Sequence, residues 1–221
     1  MKNYFITGTD TGVGKTHVTA LLLAELRRRG IRAAAMKPIA CGRDGRHDAE
    51  QYGALMNHEQ PLDVMNPVYL RHPLAPIVAA KLECRRIDLR QIHSAFRLLS
   101  SVYRPVLVEG AGGLLVPIKR DYFVGDLARD LKLPVIIVAR LGLGTINHTL
   151  LTVRQAQAMG LQVAGIVLND TTGHRGLAER TNIKVIPELT GVPLLGVVPH
   201  GGGRIAVAQI ARRLLRKGAG R

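Results

Sequence analysis

FITGTDTGVGKTHVT, residues 5–19, joins a short apolar run to a helical pattern through a glycine-rich turn. A phosphate-gripping loop reads G-x-x-x-x-G-K-[ST] between a strand and a helix. Its backbone N–H groups surround phosphate oxygens, its lysine adds a positive charge, and its last hydroxyl binds Mg2+. Gly14, Lys15 and Thr16 satisfy the end of that pattern, but Thr9 stands where its first glycine belongs and Gly8 comes one position early. The context holds nonetheless. Tyr4 to Thr7 supply a strand, HVTALLLAELRRR supplies a helix, and Gly8, Gly12 and Gly14 make the turn between them permissive. A ligand-free glycine turn would leave Lys15 and Thr16 at the helix start without a purpose.

From this loop almost to the C-terminus, short apolar runs alternate with longer helical patterns, the rhythm of strand, crossover helix and parallel strand. Candidate strands are Tyr4–Thr7, Arg32–Met36, Val106–Val108, Val135–Ala139, Val163–Leu168 and Leu194–Val198. Most are Val- and Ile-rich without alternation, which suits a parallel sheet buried on both faces. Thr16–Arg29, Leu89–Tyr103, Ile146–Met159 and Gly176–Leu189 read as helices, with Gly30 and Gly160 just past two of their ends. The fold class is therefore α/β, a doubly wound, mostly parallel sheet flanked by helices, of the P-loop NTPase kind. One domain is expected over residues 1–221, with the basic end, from about 217 to 221, frayed. Pro38 to Pro76 is the irregular stretch, with one short helix around Ala49–Met56, and it should lie over the ligand crevice at the strands' carboxyl ends.

Composition narrows the class. The chain has 221 residues, 47% of them hydrophobic, enough for one substantial core. Nothing near the N-terminus resembles a signal peptide and no run approaches a membrane span, so a cytoplasmic protein with no membrane association is expected. Cys41 and Cys84 show no metal spacing and fit reduced thiols. A net charge of +15 favours an anionic partner. The arginines are scattered over helix ends and loops, however, and five Tyr and three Phe form no RNA-binding motif, so no specific nucleic acid is expected. The eight histidines lack H-x-x-x-H spacing, and no G-x-S-x-G turn or Cys-His pair is present.

Three further positions bear on the loop. Glu109 ends the apolar strand in VLVEGAGG, residues 106–113, where a carboxylate complements the Thr16 hydroxyl at Mg2+; alone, an acid there is more often a solvated strand end. Lys37 stands at a strand tip before Pro38, either facing water or aimed at the phosphates. Asp48, in His47-Asp48-Ala49, begins a short helix as either an N-cap or a metal ligand.

Taken in order, GTDTGVGKT, MKPIACG, HDA, VEGAGGLLVP, LGTINHTLLT and VLND resemble dethiobiotin synthase, from Phe5 to about Pro199. That family's loop has the same displaced glycine. Related ATPases that partition DNA or position division sites resemble K-G-G-x-G-K-T, with a lysine where this chain has Asp10. The resemblance implies closure of a cyclic urea from 7,8-diaminopelargonate, CO2 and ATP, with Mg2+. One amine becomes a carbamate, which attacks the γ-phosphate; the second amine then attacks the mixed anhydride and expels phosphate.

It also implies site residues. Lys15, Lys37 and Thr11 would be catalytic, Thr16, Asp48 and Glu109 would hold Mg2+, and Gly12, Val13, Gly14 and His17 would complete the loop. Gly110, Ala111, Gly112, Asn169 and Asp170 would line the nucleotide site, with Pro199, His200 and Gly201 as its adenine loop. Thr11, Lys37 and Cys41 would contact substrate. The family works as homodimers in which the substrate's carboxylate meets a helix start of the partner subunit, here matched by Leu143, Gly144, Thr145 and Asn147, where Thr145 or Asn147 alternatively only caps the helix. Cys41 replaces the family's usual Ser or Thr, and HPLAP departs from a form with Ser and His near Pro76. Against this stand another P-loop ligase or kinase acting on a different amine or carboxylate, and a nucleotide-switched DNA-binding ATPase.

Overall fold

YFITG buries every residue, so it can lie only inside a sheet covered on both faces. A computed structural model describes residues 1–218. In chain order the elements are β1 (Tyr4–Gly8), α1 (Lys15–Arg28), β2 (Ala34–Met36), β3 (Ile39–Cys41), α2 (Gly42–Leu55), α3 (Leu62–Met65), β4 (Val68–Leu70), α4 (Pro76–Leu82), α5 (Leu89–Val102) and β5 (Val106–Glu109). They continue with β6 (Pro117–Lys119), β7 (Tyr122–Phe123), α6 (Val124–Asp130), β8 (Val135–Arg140), α7 (Thr145–Ala158), β9 (Val163–Asn169), α8 (Leu177–Thr190), β10 (Leu194–Val198) and α9 (Arg204–Gly218). The basic end expected to fray falls largely outside the described residues, α9 being assigned through Gly218.

The main sheet has six strands in the order β10-β9-β8-β1-β5-β2, and every pairing is parallel. After β1 the chain crosses to β2, leaving a gap that β5 later fills; the remaining strands add on the other side of β1. The winding direction thus reverses at β1, and such a reversal opens a crevice beyond the strands' carboxyl ends. All six strands point the same way, so the loop after β1, Lys37 after β2, Glu109 at the end of β5 and Asn169 at the end of β9 emerge along one edge. Helix α1 is fixed by Val18, Leu22, Leu23 and Leu26, each at most 1% exposed; burial of such side chains contributes roughly 1.5–3 kcal/mol apiece. Gly30 and Gly160 take positive φ, 74° and 71°, just past α1 and α7, as expected of helix C-termini.

The stretch from Pro38 to Pro76 is more regular than its composition suggests. β3 and β4 pair in parallel, Ile39 with Val68 and Cys41 with Leu70, and α2 begins seven residues before the short helix expected there. Asp48 therefore lies inside α2, and the N-cap position belongs to Cys41. The helix-cap reading of Asp48 is corrected accordingly. A small antiparallel hairpin, β6-β7, and the helices α4, α6 and α9 also lay outside the sequence reading.

Candidate active site

The displaced glycine has a steric reason. A Cβ on Gly8 would meet the Asp10 carbonyl oxygen and Val13 Cγ2 at 2.8 Å and Lys15 Nζ at 3.0 Å, so the chain folds back against residue 8 itself. Lys15 Nζ donates to the Asp10 carbonyl at 3.0 Å, and the Asp10 carboxylate accepts from the Thr11 N–H at 2.7 Å, bracing the turn. At the other end of the loop Gly14 has φ 91° and caps α1. Behind it the Asn169 amide donates to the Val13 carbonyl at 3.0 Å, tying the end of β9 to the loop.

In front of the loop five side chains form one network. Thr16 Oγ1 donates to Glu109 Oε1 at 2.9 Å. Lys37 Nζ donates to Asp48 Oδ2 and lies 3.4 Å from Glu109 Oε1. The other oxygen of Glu109 accepts from the Tyr52 hydroxyl. Lys37 is held at its backbone, its N–H bonded to the Met65 carbonyl and its carbonyl to the Asn66 amide, each at 2.8 Å. Lys15, Lys37 and Glu109 are at least nine-tenths buried.

These surroundings separate the two lysines. Burial holds Lys15 below the usual lysine pKa, and Lys37 pushes the same way while Glu109, Asp10 and Asp48 oppose it. Burial would lower Lys37 too, but Glu109 and Asp48 outweigh it and the pKa rises. Lys37 is therefore a firm cation at neutral pH. Burial, reinforced by the charge of Glu109, pushes the Tyr52 hydroxyl well above its usual value, so it stays a donor. Burial also lifts the Cys41 thiol to about 11.

A cavity of about 810 Å³ opens over this network. Thr11, Gly12, Gly14, Lys15, Thr16 and His17 form one side; Lys37, Cys41 and Asp48 form another; Glu109, Gly110, Ala111 and Gly112 close the floor. Val13 is buried beneath the loop. Asn169, Asp170, Pro199, His200 and Gly201 stand outside the cavity, with Asn169 paired to Val198 just before the Pro199–Gly201 loop. The Asp170 N–H donates to the Val198 carbonyl at 2.9 Å, and its carboxylate accepts the N–H groups of Gly173 at 2.7 Å and Thr172 at 3.1 Å. Burial would raise the Asp170 pKa, but these N–H groups and that of His200 hold it below the ordinary range. Leu143, Gly144, Thr145 and Asn147, at the start of α7, do not reach this chain's own cavity. Leu143 is 94% exposed, and the buried Thr145 hydroxyl has no hydrogen-bond partner among the described residues. No side chain caps α7, whose N-cap is Gly144, so capping by Thr145 or Asn147 is not observed.

Residues 2–202 match a family model described as an AAA domain. An ATP-dependent dethiobiotin synthetase from Bacillus licheniformis is 44% identical, covering 90% of this chain and 86% of the relative. One from Aquifex aeolicus is 46% identical, covering 85% and 84%. The chain belongs to the dethiobiotin synthetase family. Among solved structures, the MinD cell division protein of Aquifex aeolicus superimposes with a TM-score of 0.62 over 98% of both chains at 16% identity, a likeness of fold alone.

For a dethiobiotin synthetase the donor set suits Mg2+. No cluster of three or more His, Cys, Asp or Glu side chains occurs among the described residues, and Mg2+ does not ask for one. It binds through one or two carboxylates plus phosphate oxygens, and Asp48, Glu109 and the Thr16 hydroxyl offer hard oxygen donors beside the loop. Sequence reasoning missed Tyr52, the partner of Glu109. Its signal was present: Tyr52 follows Asp48 by four residues, the spacing that puts two side chains on one helix face. It also missed Asn66, which fixes Lys37, whereas Pro73–Pro76, at the end of the stretch expected over the crevice, does line the cavity.

Proposed function

We propose that this chain closes the cyclic urea of dethiobiotin from 7,8-diaminopelargonate, CO2 and ATP, with Mg2+ held by Thr16, Asp48 and Glu109. The single observation supporting this reading is that Lys15, Lys37 and Glu109, from three separate segments, face one cavity. Carbamate and triphosphate are both anions, and their approach needs cations aimed at the charge that accumulates during transfer. Lys15 and Lys37 would supply them. A carbamate oxygen attacks the γ-phosphorus and the bond to ADP breaks; the second amine attacks the carbamoyl carbon, loses its proton and expels phosphate. Thr16, Asp48 and Glu109 would hold the Mg2+ that, when bound, supplies charge neutralisation at the phosphates. Thr11, at the rim, and Cys41, in the wall, would orient the diamine, with the thiol protonated. Asn169, Asp170 and the Pro199–Gly201 loop would receive the base, Asn169 linking it to the phosphate loop.

A second copy of the chain would complete the site. Leu143 lies fully open at the start of α7, and helix N-termini attract carboxylates, so Gly144, Thr145 and Asn147 of a partner would take the substrate's tail. The setting would be the cytoplasm, where both thiols stay reduced. Incubation with diaminopelargonate, bicarbonate and ATP tests the reaction. It should yield dethiobiotin and phosphate in equal amounts; ATP consumption without dethiobiotin would assign the chain another acceptor.

A further inference from the structure

A second cavity, of about 600 Å³, lies away from the loop, between the end of α4, the start of α5 and the β6-β7 turn. Its volume is within the range of small-molecule sites. Lys81, Arg85, Arg86, Arg90, Lys119 and Arg120 line it, against one carboxylate, Asp88. That carboxylate is already engaged, as the cap of α5 and as a neighbour of Arg90 at 3.6 Å. Lys81, Arg86, Lys119 and Arg120 have no ion pair or side-chain hydrogen bond among the described residues. With 31 Lys and Arg against 16 Asp and Glu, unpaired cations are common in this chain; what sets these four apart is that they line one cavity together.

Local rules do not ask for this arrangement. A lysine in the last turn of α4 suits that helix's dipole, but Arg90 sits in the first turn of α5, where a cation opposes the dipole and an acid would be favoured. The positive end of α5 therefore adds to the six side chains. Beneath them the floor is apolar: Ala80, Ile87 and Ile118 are buried, and Ile77 is half-buried. A cationic mouth over an apolar floor matches a ligand with several negative charges on an uncharged body.

We propose that this cavity binds a small organic polyphosphate, its phosphates on the arginine and lysine mouth and its body on the isoleucine floor. A monocarboxylate would leave most of these charges unmatched. The site is independent of the synthetase reaction.

Calorimetric titration with adenosine 3′,5′-bisphosphate, on protein whose phosphate loop is saturated with MgADP, tests it. One further site per chain is expected. Arg86→Glu, Lys119→Glu and Arg120→Glu together should weaken it by about 100-fold while leaving MgADP affinity unchanged, which also shows that the fold is intact. A milder set, Lys119→Gln with Arg120→Gln, should weaken it by about tenfold. The matched reversal of Arg180, Arg212 and Arg216 should leave it within a factor of about three, since those charges lie on α8 and α9. Absence of a further site, or equal weakening by the distant set, would overturn the proposal. Equal affinity for inorganic tripolyphosphate would overturn it too, because the floor would then contribute nothing.

Discussion

Gly14→Ala probes how the loop is held. Gly14 has φ 91° and ψ 30°, and a Cβ built there falls on the amide nitrogen of Asn169. Two costs follow. An L-residue in the left-handed region loses about 1–2 kcal/mol. Asn169, only 4% exposed, must also swing away and give up its bond to the Val13 carbonyl, leaving a buried polar group unsatisfied at about 1–3 kcal/mol. The sum is roughly 2–5 kcal/mol, a fall in Tm of roughly 4–20 °C for a domain of this size. Urea and thermal unfolding measure it, and Asn169→Ala separates the parts. In that background the collision is gone, so Gly14→Ala should cost only the conformational part, a coupling of about 1–3 kcal/mol between the two sites. A cost below about 0.5 kcal/mol for Gly14→Ala, or strict additivity with Asn169→Ala, would refute the proposed buttress.

Lys37→Gln should lower turnover by about 10²–10³-fold with the fold retained, as expected when one aimed donor is lost at a developing charge; steady-state kinetics with saturating diaminopelargonate measures this, and wild-type turnover would remove Lys37 from the chemistry. Tyr52→Phe leaves a buried oxygen of Glu109 without its donor, so unfolding should become easier by about 1–3 kcal/mol. The Mg2+ concentration needed for tight ATP binding should rise as well, read by nucleotide fluorescence. Glu25 accepts from Arg28 and Arg29, and its carboxyl is held at about 2, below the ordinary 4.5, mainly by the Arg28 bond. The pairing thus adds stability above pH 4.5 that is lost as pH falls towards 2. Glu25→Gln should abolish that share of the acid dependence in unfolding curves taken between pH 5 and pH 3.

The main sheet was legible because a strand buried on both faces has nowhere to put a polar residue. YFITG and VIIVAR follow that rule for nearly their whole length. Lys15, Thr16 and Glu109 were legible for a related reason: each stands at an apolar strand's end or a helix start, where backbone direction fixes where the side chain goes. The Pro38–Pro76 region was not. β3 and β4 are three residues each, too short for periodicity to register. Helix α2 carries Gly42, Gly45 and Gly53, residues that each cost about 1 kcal/mol against alanine inside a helix. Tertiary contacts override that propensity, with Tyr52 and Ala49 fully buried on its inner face. Asp48 was consequently placed at a helix start and Tyr52 was overlooked.

The central claim is convergence of the two lysines on one phosphoryl group beside an activated amine. A crystal structure with diaminopelargonate and a nonhydrolysable ATP analogue measures it directly. The account predicts Lys15 Nζ and Lys37 Nζ both within hydrogen-bond distance of γ-phosphate oxygens, with an amine of the diamine facing that phosphorus across Thr11. A γ-phosphate that meets Lys15 while Lys37 stays bound to Asp48, with the diamine elsewhere, would contradict it.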